Sequence, residues 1–192
     1  MLRESSIANR RVRRVVKESM RHLTGLLFVT LFATSVTAQD TEYIRALERA
    51  QQQRPATLAS TGRIAPTSEP GRPLVIPLRV VGPNGAPAAN AIVFAYHTDE
   101  KGLYDKRENG PHSWRLRGWL KTDAEGRVTF ETIRPGSYPN SNNPPHVHFT
   151  VFLASGERYH AGELQLSMTP APGTPTPERA PITLRLEARQ KF

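Results

Sequence analysis

From residue 74 onward, apolar residues come in runs of five to eight, each bounded by Pro, Gly or Asn, without the three-to-four spacing of long amphipathic helices. Leu74-Val75-Ile76-Pro77-Leu78-Arg79-Val80-Val81 leads into the turn Gly82-Pro83-Asn84-Gly85, and Ala91 to Tyr96 follows. Three more runs cover Arg127 to Ile133, His146 to Phe152 and Ile182 to Leu186. Runs of this length are too short for core helices and suit strands, so the pattern predicts an all-β chain folded as a β-sandwich. About 110 residues suffice for one modest core. The proline-rich stretch Thr169 to Pro181 reads as a loop before the last strand, and no fixed-period repeat is present.

The first 73 residues are different in kind. Arg10, Arg11, Arg13, Arg14 and Lys17 precede an apolar stretch from Leu23 to Val36, which closes on the small residues Thr37-Ala38. Those 14 residues fall short of the roughly 20 needed to span a bilayer. Residues 1–38 therefore read as a signal peptide, with the mature protein exported to the periplasm or the extracellular space and holding no membrane segment. Met20, followed by Arg21-His22 and the same apolar run, is an equally workable start. Residues 39–73 divide into a short helix and a linker. Asp40 or Thr41 can cap a helix running to Gln53, with Tyr43, Ile44, Leu47 and Ala50 on one face, whereas Arg54 to Pro73 is rich in Pro, Thr, Ser and Gly. The sandwich domain then occupies 74–192.

Charge and cysteine narrow the chemistry. Seven of the 26 Lys and Arg and two of the 17 Asp and Glu lie in residues 1–38, leaving 19 against 15 and a formal charge of +4. That weakens any case for a nucleic-acid partner. With no cysteine, disulfides, a lipid anchor and thiolate metal sites are all excluded, so a metal would have to use His, Tyr or carboxylate.

His146 and His148 stand two apart in a predicted strand, so both imidazoles leave the same face while Val147 and Phe149 turn to the other. Alone, a His-x-His pair fits a half-buried strand face as readily as a metal. Asn142-Asn143-Pro144-Pro145 immediately before it restrains the backbone. Tyr138 lies in Arg134-Pro135-Gly136-Ser137-Tyr138-Pro139, and Tyr104 in Asp99-Glu100-Lys101-Gly102-Leu103-Tyr104-Asp105, each a turn after a strand. Spacing singles out neither tyrosine.

The order of these segments resembles the intradiol ring-cleavage dioxygenases, the family of catechol and protocatechuate dioxygenases. The matching stretches are Gly85 to Tyr104, Arg117 to Phe130, Thr132 to Pro139 and Pro145 to Phe149, within roughly residues 74–168. The resemblance implies a ferric ion, Fe(3+), held by Tyr104, Tyr138, His146 and His148 with a hydroxide as fifth ligand. It implies a small aromatic diol and dioxygen as substrates and a muconate-type diacid as product. Tyr138 is the implied catalytic base: it leaves the metal when substrate binds and takes up a substrate proton. Hard Fe(III) suits phenolate oxygen, and two phenolates with hydroxide balance its charge.

Two positions depart from the family pattern. An arginine expected three residues before the first histidine is Asn143, and a glutamine expected in the next strand falls on Glu163. Arg115, Arg117 and Arg134 are candidates to supply the missing cation. Tyr96 and His97 end a strand near Tyr104, and alternation lets only one of them face the site. Trp114 and Trp119 can meet an aromatic substrate or cap the core. His112 and His160 read as loop histidines. A homo-oligomer is also possible. Two other classes compete: a non-catalytic exported sandwich module of the transthyretin-like kind that binds a glycan or protein, and a cupin-like Zn or Cu site. The latter wants a glutamate shortly after His148, and Phe149 to Ser155 contains none.

Overall fold

The computed structural model describes residues 43–104 and 114–192. The predicted signal peptide, the helix cap at Asp40 or Thr41, and His112 lie outside the described residues. The chain divides into two compact units, residues 1–52 and 53–192. In the first, residues 43–52 form helix α1, on which Ala46, Leu47 and Ala50 are buried while Tyr43 and Ile44 are half-buried. Among the described residues no helix is long and apolar enough to cross a membrane.

The second unit is the expected β-sandwich. One sheet contains β1 (Thr61–Arg63), β5 (Arg127–Ile133) and β2 (Pro73–Val81), with β8 (Glu178–Arg179) and β9 (Ile182–Arg185) both pairing with β2. The other runs β4 (Leu116–Lys121), β3 (Ile92–His97), β6 (His146–Phe152) and β7 (Arg158–Gln165), antiparallel throughout. Alternation along β2 sends Leu74, Ile76, Leu78 and Val80 inward to meet Val128 and Phe130 of β5. From the opposite sheet Val93, Ala95, Val147, Phe149 and Val151 close the core. Pro77 is tolerated inside β2 because it falls in the gap between the β8 pairing, which ends at Val75, and the β9 pairing, which starts at Leu78.

The linker expected before residue 74 is partly structured. β1 runs parallel to β5, Ile64 and Ala65 enter the core, and Lys121 and Thr129 donate backbone hydrogen bonds to Ala59 and Ser60. Its Pro and Gly limit the segment to a three-residue strand at the sheet edge, where few ladder bonds are required. In the same way, β8 adds two paired residues inside the stretch expected to be loop throughout.

The face of β6 that carries His146 and His148 points away from this core. Outward residues of β3 and β4 share it: Phe94 and Tyr96 lie opposite Thr150 and His148 on one side and Trp119 and Arg117 on the other. Two turns close over this second layer, and they bring the tyrosines.

Candidate metal centre

Each histidine is held by its Nδ1 atom. His146 Nδ1 lies 2.7 Å from the carbonyl oxygen of Pro144, which can only accept, so Nδ1 carries the proton. His148 Nδ1 lies 2.9 Å from a carboxylate oxygen of Glu163, with the same consequence. Burial, reinforced by His146 and His97, lowers the His148 pKa to about 4, so its ring is neutral at neutral pH. Both Nε2 lone pairs are thereby free to bind, and the two rings stand edge to face with centroids 4.7 Å apart.

The tyrosines reach those lone pairs from two turns that touch through glycine. Asp99 builds the first turn: its Oδ1 accepts from the backbone N–H of Lys101 and Leu103, at 2.9 and 3.0 Å, and its N–H donates to Leu103 O. Gly102 sits there at φ +82°, and a side chain on it would strike the carbonyl oxygen of Ser137. Gly136 answers from the other turn. Its N–H donates to Asp99 O at 2.8 Å and its carbonyl accepts from Thr98 Oγ1 at 2.9 Å. Only hydrogen on both α-carbons lets the backbones come this close. Tyr104 and Tyr138, each two residues beyond its glycine, are then placed side by side.

The four donor atoms converge. Tyr104 Oη is 2.8 Å from His148 Nε2, Tyr138 Oη is 2.8 Å from His146 Nε2 and 3.3 Å from His148 Nε2, and the two phenol oxygens are in direct contact. Donors with these separations can all lie roughly 2 Å from one point, the bond length of a small N,O-ligated cation. Two oxygen donors that can ionise and two imidazole nitrogens suit a hard, highly charged ion. Without a cation, burial raises both phenol pKa values above the ordinary 10. The hydrogen bond between them then disfavours ionisation of Tyr104 and favours that of Tyr138. The residues present therefore fit ferric iron. Glu163 clusters with the two histidines, yet it engages the Nδ1 edge of His148, away from the converging donors.

Behind the site stands an aromatic wall. Tyr96 stacks on His148 at 4.6 Å and on Trp114 at 4.3 Å, and Phe94 packs against Trp114 and Trp119. Tyr96 is thus the residue of its pair that faces the site. His97 turns into the sandwich, fully buried, between Thr98 O and Thr132 Oγ1. His160 stacks on Phe192, remote in register from His148. The three arginines proposed to replace the missing cation are engaged elsewhere. Arg115 forms a two-pronged bridge to Glu69, at 2.5 and 2.8 Å, Arg117 binds Trp114 O and Gln53, and Arg134 is buried against Glu178 and Ser167. Asn143 is exposed, its N–H donating to Ser141 Oγ.

Sequence reasoning did not assign structural roles to Gly102, Gly136, Asp99 or the Pro144 carbonyl. Only the Asp-x-x-Gly spacing of Asp99 and Gly102 offered a local signal, that of a side-chain-capped turn.

The fold is a two-sheet sandwich with Tyr104, Tyr138, His146 and His148 clustered on one outer face, and comparison with known proteins gives its family. A family model described as "Dioxygenase" matches residues 46–161. The chain belongs to the intradiol ring-cleavage dioxygenase family. It is similar to catechol 1,2-dioxygenase 1 of Acinetobacter lwoffii, with 37% identity over 113 residues, 50% of this chain and 36% of that one. It is similar also to the protocatechuate 3,4-dioxygenase beta chain of Burkholderia cepacia, with 34% identity over 93 residues, 43% of this chain and 39% of that one. It therefore spans well under half the length of these curated relatives. Among solved structures, the dioxygenase domain of a dioxygenase and carbohydrate-binding protein fusion from Streptomyces sp. SirexAA-E shares the fold. The TM-score is 0.52 at 21% identity, over 69% of this chain and 91% of that one.

Proposed function

We propose that Tyr104, Tyr138, His146 and His148 hold ferric iron and that the protein cleaves a catechol-type ring between its two hydroxylated carbons, inserting both atoms of dioxygen. The observation that carries this reading is the pairing of two Nδ1-anchored histidines with two phenol oxygens 2.8 Å from their Nε2 atoms. Bound there, iron would supply a Lewis acid that chelates the diol and draws electron density from the ring, making its carbon open to dioxygen.

The chain's own residues account for the rest. Tyr138 is the base. It sits in the turn after β5 rather than in a strand, and burial raises its phenol pKa, so its Oη would hold a proton taken from the diol. Tyr104 is the more firmly placed phenol, since the Asp99 turn fixes its approach. His146 and His148 hold position through their Nδ1 anchors, and the Tyr96 ring shields one face of His148. A muconate-type diacid is the expected product. Export after removal of residues 1–38, and assembly into a homo-oligomer, belong to the same proposal.

One observation favours a second reading. With Asn143 exposed and Arg115, Arg117 and Arg134 all engaged, no arginine among these three is committed to stabilising negative charge on a bound ring. That suits a non-catalytic module binding a glycan or protein. Oxygen uptake by iron-loaded protein against a panel of catechols and hydroxyquinols, with product spectra, separates the two. Uptake with a muconate-type product is expected; iron-loaded protein that consumes no oxygen with any of them sinks the enzymatic reading.

A further inference from the structure

We propose that Glu163 is a positioning residue of the metal centre, its carboxylate locking His148 as an Nε2 donor; the inference rests on the iron reading above. Sequence distance hides the relationship, and a sheet irregularity creates it. β6 and β7 pair His148 with Glu163 and Thr150 with His160, so one residue of β6, Phe149, faces two of β7, Ala161 and Gly162. Gly162 takes up the extra residue at φ +88°, with open space where a Cβ would point. A bulge of this kind reverses the side-chain alternation beyond it. Ala161 points into the core with Phe149, and two residues later Glu163 emerges on the His148 face.

The contact made there is specific. Glu163 Oε1 accepts from His148 Nδ1 at 2.9 Å, on the edge of the ring opposite the tyrosines. A carboxylate in that place does two things to a metal-binding imidazole. It excludes the tautomer with the proton on Nε2, which could not bind, and it makes Nε2 a stronger donor. His146 has only a backbone carbonyl, from Pro144, in the corresponding place. The two histidines are therefore unequal, and only one is tuned by a titratable side chain. The glutamine that the family resemblance leads one to expect here could accept the same hydrogen bond without the charge. A carboxylate adds an anion behind His148 and favours the ferric over the ferrous ion.

The test uses the full chain carrying Glu163→Gln or Glu163→Ala. Nitrogen-15 spectra of the metal-free proteins read the His148 tautomer, chelator competition reads ferric affinity, and a redox titration reads the Fe(III)/Fe(II) potential. Wild type and Glu163→Gln are expected to hold His148 with the proton on Nδ1, and Glu163→Ala to populate both tautomers. Ferric affinity should fall about 10- to 100-fold in Glu163→Ala and largely return in Glu163→Gln, whose potential should nonetheless move positive of wild type. Because Glu163 lies at the solvent edge, the metal-free melting temperatures should agree. Wild-type protein that takes up no iron overturns the iron reading and this role with it. Wild-type protein that loads iron, beside a Glu163→Ala variant unchanged in tautomer and affinity, overturns the role of Glu163 alone.

Discussion

Gly102 and Gly136 meet backbone to backbone: a Cβ on Gly136 would lie 2.6 Å from the Gly102 nitrogen and 2.4 Å from the Glu100 carbonyl oxygen. This contact, more than either tyrosine's own sequence neighbourhood, brings Tyr104 to Tyr138. Gly136→Ala should therefore push the turns apart. The expected outcome is loss of retained iron together with about 1–3 kcal/mol of stability, the usual range for forced overpacking. Urea denaturation and metal analysis of the same preparation check it.

Colour gives the most direct reading of the phenol pair. Ferric iron ligated by tyrosinate should make the loaded protein reddish through charge transfer. Tyr104→Phe and Tyr138→Phe should each weaken the visible band, and together they should abolish it. A band that survives in the double variant would place the iron elsewhere.

His97 makes metal-free stability depend on pH. Its ring donates from Nδ1 to Thr98 O and accepts at Nε2 from Thr132 Oγ1, linking the two sheets, and burial lowers its pKa from 6.5 to about 4. The unfolded chain binds the proton more readily than the folded one. His97 therefore contributes fully above pH 6.5, and its contribution is lost as pH falls from 6.5 to 4. The loss amounts to roughly 3 kcal/mol by linkage. His148, lowered by burial in the same sense, adds to the slope. Urea midpoints of metal-free wild type across that window should fall more steeply than those of His97→Asn.

Arg134, buried, and Glu178, half-buried, pair at 2.5 Å at the base of the turn that carries Tyr138, and Arg72 lies 3.9 Å from the other carboxylate oxygen. Arg134→Ala removes the nearer partner of the half-buried Glu178 carboxylate and leaves Arg72, so a loss of about 1–3 kcal/mol is expected. Pairing it with Glu178→Gln should recover much of that loss, as a double-mutant cycle in thermal unfolding can measure.

How much of this was legible beforehand follows from how local each determinant is. The predicted strands Arg127 to Ile133 and His146 to Phe152 coincide with β5 and β6, because an apolar run between turn residues carries its own signal. β4 was not predicted, because Leu116-Arg117-Gly118-Trp119-Leu120-Lys121 is no apolar run, and neither were β1 and β8. β1 and β8, three and two residues long and set among prolines, form only because β5 and β2 offer free edges.

The sequence by itself determined the sandwich and the common face of His146 and His148, since alternation in a strand is a property of the backbone alone. The family resemblance pointed to Tyr104 and Tyr138, but nothing in their spacing did. Tertiary structure decided the remainder: two glycines 34 positions apart in the chain close the tyrosines on the histidines, and a one-residue bulge turns Glu163 toward His148. Each depends on residues distant in sequence meeting at van der Waals range, and such contacts leave no periodic mark on the chain. The same holds for Arg115, Arg134 and Arg117, which are engaged by Glu69, Glu178 and the carbonyl of Trp114.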